Sequence, residues 1–218
     1  FLFLDDISIY SLGVFLGFDL KLWYLALPFT MFALAGFTNA LNLIDGLDGL
    51  AGTISLVILS TFLYIGYIND DNLIVTLCLF SMTSVLAFLI FNWNPARIFM
   101  GDSGSLFLGF VISVIAVISL KYIHPISVFY LTALPILDTI VVMVRRIKKR
   151  ISPFSPDKTH IHHILLGFFS KKVKTTVIFL ILMQCLFSIA GLMMANSSNK
   201  LTLGSYSFFA FVAFIFII

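Results

Sequence analysis

Residues 73–92 read LIVTLCLFSMTSVLAFLIFN, a run of twenty without one charged side chain. At about 1.5 Å of rise per residue, a helix of that length crosses about 30 Å of hydrocarbon. Similar runs lie on either side, and they place spans at roughly 22–38, 54–68, 73–92, 104–121, 125–144, 174–194 and 204 to the end. Continuous runs of this kind, rather than short alternating segments, point away from a β-barrel. The whole chain agrees: 61% of its 218 residues are hydrophobic and 11% are charged, against about 25% charged in soluble domains. The expected fold is an all-α polytopic integral membrane protein with about six to seven transmembrane helices, forming one domain over 1–218. Residues 1–21 are mixed and read as an extracytoplasmic surface segment. The sequence starts without Met and stops inside an apolar run, so it reads as part of a longer chain. Cys78 and Cys185 lie in apolar runs without metal or redox spacing and read as buried free thiols.

Sidedness follows from the cations. Nine of the thirteen Lys and Arg fall between Arg145 and Lys174, which makes that loop cytoplasmic by the positive-inside rule. Counting spans outward puts 39–53, 93–103 and 145–173 on the cytoplasmic face. Asp70-Asp71, Lys121–His124 and Asn196–Lys200 fall on the other face, as does the Asp5-Asp6 pair. The three cytoplasmic loops hold the chain's three polar islands. Orientation came mainly from the basic loop, so the islands' shared face was not built in and supports one composite site. Polar groups at membrane depth are expensive enough to read as functional.

The first island runs from Asn39 to Gly49 and carries Asn39, Asn42, Asp45 and Asp48. Residues three apart share a helix face, so Asp45 and Asp48 converge if the stretch is helical. Gly46 and Gly49 let backbone approach a ligand. A capped helix end is the plainer reading, but one Asp and one Gly suffice for that. The second island, Asn92 to Gly104, contains Phe99 and Asp102. Asp102 opens a span, where a helix N-terminus with Asp, Ser and Gly can bind phosphate through backbone N–H groups. Asp102 itself is an N-cap or a carboxylate holding Mg²⁺, and sharing a face with Asp45 and Asp48 favours the metal. Phe99 is a base-stacking platform or one more apolar residue. The third island, His160-Ile161-His162-His163, follows a Pro-punctuated loop. Imidazoles can donate hydrogen bonds to a diphosphate, whereas zinc lacks a Cys or acidic partner at ligand spacing. Arg145 to Arg150 reads as topology signal and anionic-lipid contact, with one or two cations in reach of a substrate phosphate. Asp138 is left between a structural partner such as Arg145 and a catalytic role. His124 faces the other side.

These stretches resemble one known family. Asn39–Gly52 (NALNLIDGLDGLAG), Asn92–Gly109 (NWNPARIFMGDSGSLFLG) and Pro135 to Leu166, with RR and SPFSPDKTHIHHILL, look like the polyprenyl-phosphate N-acetylhexosamine-1-phosphate transferases (WecA/MraY type, glycosyltransferase family 4). The histidine segment is similar to the undecaprenyl-phosphate GlcNAc-1-phosphate branch that starts O-antigen-type and other envelope polysaccharides. The resemblance implies transfer of N-acetylhexosamine-1-phosphate from a UDP-sugar to undecaprenyl phosphate, with release of UMP. It implies Mg²⁺, with Mn²⁺ as substitute, and a multi-pass enzyme of the bacterial inner membrane whose site faces the cytoplasm. A homodimer is an open option, and no nucleic acid is expected.

By the same resemblance Asp102 and Asp45 are metal ligands, and Asp45, Asp48 and Asp102 are catalytic. Asn39, Asn42, Asn92, Phe99, His160, His162 and His163 bind substrate, with Phe99 stacking on uracil and the histidines on the diphosphate. The family also carries a DDxxD-type motif upstream of the first island. Here Asp5-Asp6 is followed by Ile9 rather than Asp, so the sequence is expected to be N-terminally truncated relative to the family. Two other classes compete: a transporter or flippase, whose path would thread polar residues to the far face, and an inactive scaffold of a glycan-assembly complex.

Overall fold

The computed structural model describes residues 8–15, 18–150, 152 and 160–196. Asp5-Asp6, the approach 153–159 to the third island and the expected span from 204 lie outside them.

An antiparallel hairpin comes first, β1 (Ser11–Phe15) with β2 (Phe18–Lys21), followed by a 3-10 turn at Trp23–Leu25. Eight helices follow: α1 (Ala26–Ile44), α2 (Leu50–Ile68), α3 (Asn72–Asn92), α4 (Gly101–Ser119), α5 (Pro125–Leu131), α6 (Ala133–Lys148), α7 (Ile161–Phe168) and α8 (Val173–Asn196). Among the described residues five helical stretches are long and apolar enough to cross a membrane, or six if the bent pair α5 and α6 counts as one span. The polytopic helical fold expected from composition is what forms. The hairpin is a local addition within the segment read only as surface.

Hydrocarbon gives apolar helices no reason to prefer one another over lipid, so association rests on close packing at small residues. At Gly109 of α4 an added Cβ would lie 2.9 Å from Thr38 Cα of α1, so the two backbones pack directly against each other. At Gly66 of α2 it would lie 2.7 Å from Ile74 of α3. Ile54, Ile58, Phe62 and Ile65 place α2 at the centre of the core, while Phe80, Leu86 and Ile90 of α3 face outward. That outward face suits lipid.

Two expected boundaries shift. The first span continues to Ile44, so Asn39 and Asn42 belong to α1 rather than to a loop. The span expected at 125–144 is not one helix: α5 and α6 meet at Thr132 with a bend of 86°. Pro135 has no N–H to give a continuing helix. The break frees backbone groups that hydrocarbon cannot satisfy. Gln184 of α8, fully buried, takes them up: its Oε1 accepts from Leu134 N at 3.1 Å, and its Nε2 donates to Leu131 O at 2.8 Å.

The bundle has two distinct ends. At one, Ile9 N donates to Thr30 Oγ1 near the start of α1, and Tyr122 donates to Asp71. At the other lie the C-terminus of α1 and the N-termini of α2 and α4, where the polar islands collect.

Candidate active site

Hydrogen bonds stitch the first island to the second. Asn42, in the last turns of α1, donates from Nδ2 to Asp102 Oδ1 at 3.1 Å and to Ser105 Oγ at 2.8 Å. This contact lies one helical turn from the Thr38–Gly109 approach, since Asn42 follows Thr38 by four residues and Gly109 follows Ser105 by four. The small residue therefore sets the distance at which an α1 amide meets an α4 carboxylate.

Asp48 is not on a helix with Asp45. Asp45 caps the C-terminus of α1, and Asp48 sits in the turn before α2. The expectation of two carboxylates on one helical face is corrected, because the chain leaves the helix between them. Asp48 Oδ2 instead accepts from Asn94 Nδ2 at 2.8 Å and from Ala96 N at 3.1 Å. Asn92 is buried and acts as a clamp: its Oδ1 accepts from Gly49 N at 3.0 Å and its Nδ2 donates to Ile98 O at 2.8 Å. Gly49 has φ of +78°, a conformation that glycine adopts without strain. These two side chains fold the loop that carries Phe99 against the start of α2.

The result is a cleft of about 250 Å³ lined by Asn42, Asp45, Gly46, Asp48, Phe99 and Asp102 among others. Asn92 also lines it. Asn39 does not, and stands exposed on α1. Phe99 is 76% exposed, an open aromatic face at the rim. Asp102 is not the N-cap of α4; Met100 holds that position, and no side chain caps it. Burial, and then the negative charge of Asp102, push the Asp45 carboxyl above its ordinary range. Two carboxylates brought together in this way favour a cation between them.

The third island meets the first at a glycine. A Cβ at Gly46 would collide with Nε2 of His162, so only glycine admits the imidazole there. His162 is 1% exposed, its Nδ1 has no hydrogen-bond partner, and burial pulls its pKa down to about 4. It is therefore a neutral ring with an unused polar atom beside the cleft. Its ring lies 5.6 Å from His160 and 4.3 Å from His163, centroid to centroid. His160, also buried, makes a 2.7 Å hydrogen bond from Nδ1 to Asp138 Oδ2. The other oxygen, Asp138 Oδ1, accepts from Ile161 N at 2.6 Å. The partner that the sequence left open for Asp138 is thus the histidine segment itself.

Among the described residues no group of three or more His, Cys or Asp gathers as a metal cage. Asp45 and Asp102 fit a different demand. Mg²⁺ keeps several waters and binds through one or two carboxylates plus substrate phosphates. Ser105 ends the second island's polar stretch, but had no role of its own assigned from the sequence; its signal was the i+3 spacing from Asp102. Nothing local announced Asp138 and His160 as partners, because 22 residues separate them.

The glycosyl transferase family 4 profile matches residues 1–120. A Bacillus subtilis (strain 168) protein named "probable undecaprenyl-phosphate N-acetylglucosaminyl 1-phosphate transferase" is 39% identical over 209 residues, 94% of this chain and 56% of its own. The Escherichia coli (strain K12) undecaprenyl-phosphate alpha-N-acetylglucosaminyl 1-phosphate transferase is 34% identical over 172 residues, 72% of this chain and 47% of its own. A Staphylococcus epidermidis phospho-N-acetylmuramoyl-pentapeptide-transferase is 36% identical over 166 residues, 74% of this chain and 50% of its own. The chain spans about half the length of these curated relatives.

Proposed function

As the chain belongs to glycosyl transferase family 4, we propose that it carries the nucleotide-sugar site of an enzyme that moves N-acetylhexosamine-1-phosphate, with GlcNAc as the sugar, from a UDP-sugar to undecaprenyl phosphate. A phosphate oxygen of the lipid attacks the sugar-bearing β-phosphorus. The bond from that phosphorus to the bridging oxygen breaks, and UMP leaves with the electron pair. The observation that carries this reading is the shared cleft of Asp45 and Asp102, with Phe99 open at its rim and His162 against its floor at Gly46.

Phosphoryl transfer asks a protein mainly for positioning and charge neutralisation. Asp45 and Asp102 would hold Mg²⁺, with Mn²⁺ as substitute, and the ion would offset the charge of the diphosphate. Asn42 fixes the Asp102 carboxylate. Asp48 and Asn92 hold the loop that presents Phe99, whose exposed ring suits stacking on uracil. The histidine arm brings imidazoles to the diphosphate side, with His162 against Gly46. A site at the end of a helical bundle lets a lipid acceptor in the bilayer meet a soluble donor, and the basic end of α6 supports a site that faces the cytoplasm from the bacterial inner membrane.

The transporter and scaffold readings give different outcomes in one assay. Full-length protein in detergent, given UDP-GlcNAc, polyprenyl phosphate and Mg²⁺, should release UMP and form the lipid-linked sugar diphosphate. Absence of both products from folded protein would overturn the proposal in favour of a scaffold. Movement of lipid-linked sugar across vesicles without UMP release would overturn it in favour of a flippase.

A further inference from the structure

We propose that Asp138 is a positioning residue for the histidine arm: through His160 it selects one imidazole tautomer, and through Ile161 it anchors the arm so that His162 lies on Gly46. This rests on the transferase reading for its consequence in catalysis, but its geometry stands apart from that reading.

Asp138 lies on α6, 2% exposed, and its two oxygens serve two partners. Oδ2 meets His160 Nδ1 at 2.7 Å, and Oδ1 meets Ile161 N at 2.6 Å. An isolated carboxylate at that depth would be costly, whereas one hydrogen-bonded on both oxygens is not. Residue His160 sits at the N-cap of α7, yet its side chain caps nothing there. The carboxylate from α6 takes the place of a local cap, and an anion at a helix N-terminus is favourable.

A carboxylate on Nδ1 holds the proton there and leaves Nε2 of His160 as the acceptor. His160 then stacks on His162 with an interplanar angle of 18°, and His162 fills the space left by Gly46. The chain of contacts runs Asp138, His160, His162, Gly46, and ends next to Asp45. The α5–α6 break contributes by changing the direction of α6. The bend sets the course on which α6 carries Asp138.

Three variants of the full-length protein separate the contacts. Asp138→Asn keeps an oxygen for Ile161 N but offers His160 a donor, which reverses the tautomer. Asp138→Ala removes both contacts. His160→Asn keeps an N–H in place of Nδ1 for Asp138 and removes Nε2. In protein labelled with ¹⁵N-histidine, with the His160 signal assigned by its loss in His160→Asn, wild type should show Nδ1 protonated. Asp138→Asn should shift the proton to Nε2. Asp138→Asn should also lower kcat/KM for the UDP-sugar by about 10–100-fold, the range typical of lost carboxylate–histidine partners. In the His160→Asn background the same change should add less than about twofold, because residues acting as one unit are not additive.

A wild-type His160 protonated on Nε2, or a tautomer unchanged by Asp138→Asn, would overturn the inference. So would fully additive losses. The tautomer is read without turnover, so its failure leaves the transferase reading intact. Absence of UMP release from wild type sinks that reading while the tautomer still decides this one.

Discussion

Asp71 and Asp102 each stand at the start of a helix, at opposite ends of the bundle, and they are treated in opposite ways. Asp71 caps α3, with Oδ1 accepting from Leu73 N at 3.0 Å and Ile74 N at 3.1 Å, and Oδ2 accepting from Tyr122 Oη at 2.9 Å. Burial alone would raise its pKa. The Ile74 N–H, the Tyr122 hydroxyl, the Leu73 N–H and nearby Lys121 outweigh that and hold it below the usual range. Asp102 caps nothing and has one side-chain donor, Asn42, on Oδ1. Its neighbour Asp45 is held above the usual range by burial and by Asp102 itself. A carboxylate saturated by backbone and hydroxyl donors is structural. A carboxyl raised by burial and by a second carboxylate, beside a cleft, suits a cation.

The contrast breaks most visibly in turnover. Asp102→Asn should cost about a thousandfold in kcat, the upper range for losing one charge-stabilising group, while Asp71→Asn leaves kcat unchanged. UMP release by both variants checks this, and equal losses would erase the distinction. Gly46→Ala should come next. Its methyl displaces His162, and a shift of about 1 Å near the chemistry costs up to about 100-fold. Circular dichroism should show an intact fold, and wild-type kinetics would remove the histidine arm from the site.

Stability changes are smaller. Gln184→Leu strands Leu134 N–H and Leu131 C=O at the break, at about 1–3 kcal/mol for each orphaned group. Thermal unfolding in detergent should therefore fall clearly below wild type. The histidine arm should also respond to acid. His162 has a folded value of about 4 against an ordinary 6.5, so the unfolded form binds the proton more readily. Its contribution is complete above 6.5 and declines as pH falls toward 4. Hydrogen exchange at the amides of α7 should speed up across that window in wild type and stay flat in His162→Phe. Least of all, Asp71→Ala should cost about 1 kcal/mol as a lost N-cap, seen as a small drop in melting temperature with unchanged turnover.

Much of this was legible in the chain. Apolar runs located most of the spans among the described residues, and counting from the basic loop put the polar islands at one end, where Asn42, Asp45, Asp48, Phe99 and Asp102 share a cleft. The residues that build the cleft's walls were less legible. Asp48 looked like the helical neighbour of Asp45, but the chain turns at Gly46 and Asp48 becomes a loop clasp. A run such as 125–144 reads as one span because hydropathy does not register a bend at Thr132, and the rescue of its backbone by Gln184 comes from a different helix. The Asp138–His160 pair is likewise a tertiary contact, invisible to spacing.

The central claim is that Asp45, Asp102 and Phe99 form one nucleotide-diphosphate site completed by a divalent cation. Calorimetric titration of UDP-GlcNAc into the full-length protein, with and without Mg²⁺, tests it most directly. Affinity should rise at least about tenfold with Mg²⁺, the gain should vanish in Asp102→Asn, and binding should weaken in Phe99→Ala. Binding of equal strength with and without Mg²⁺, and in all three proteins, would contradict the account.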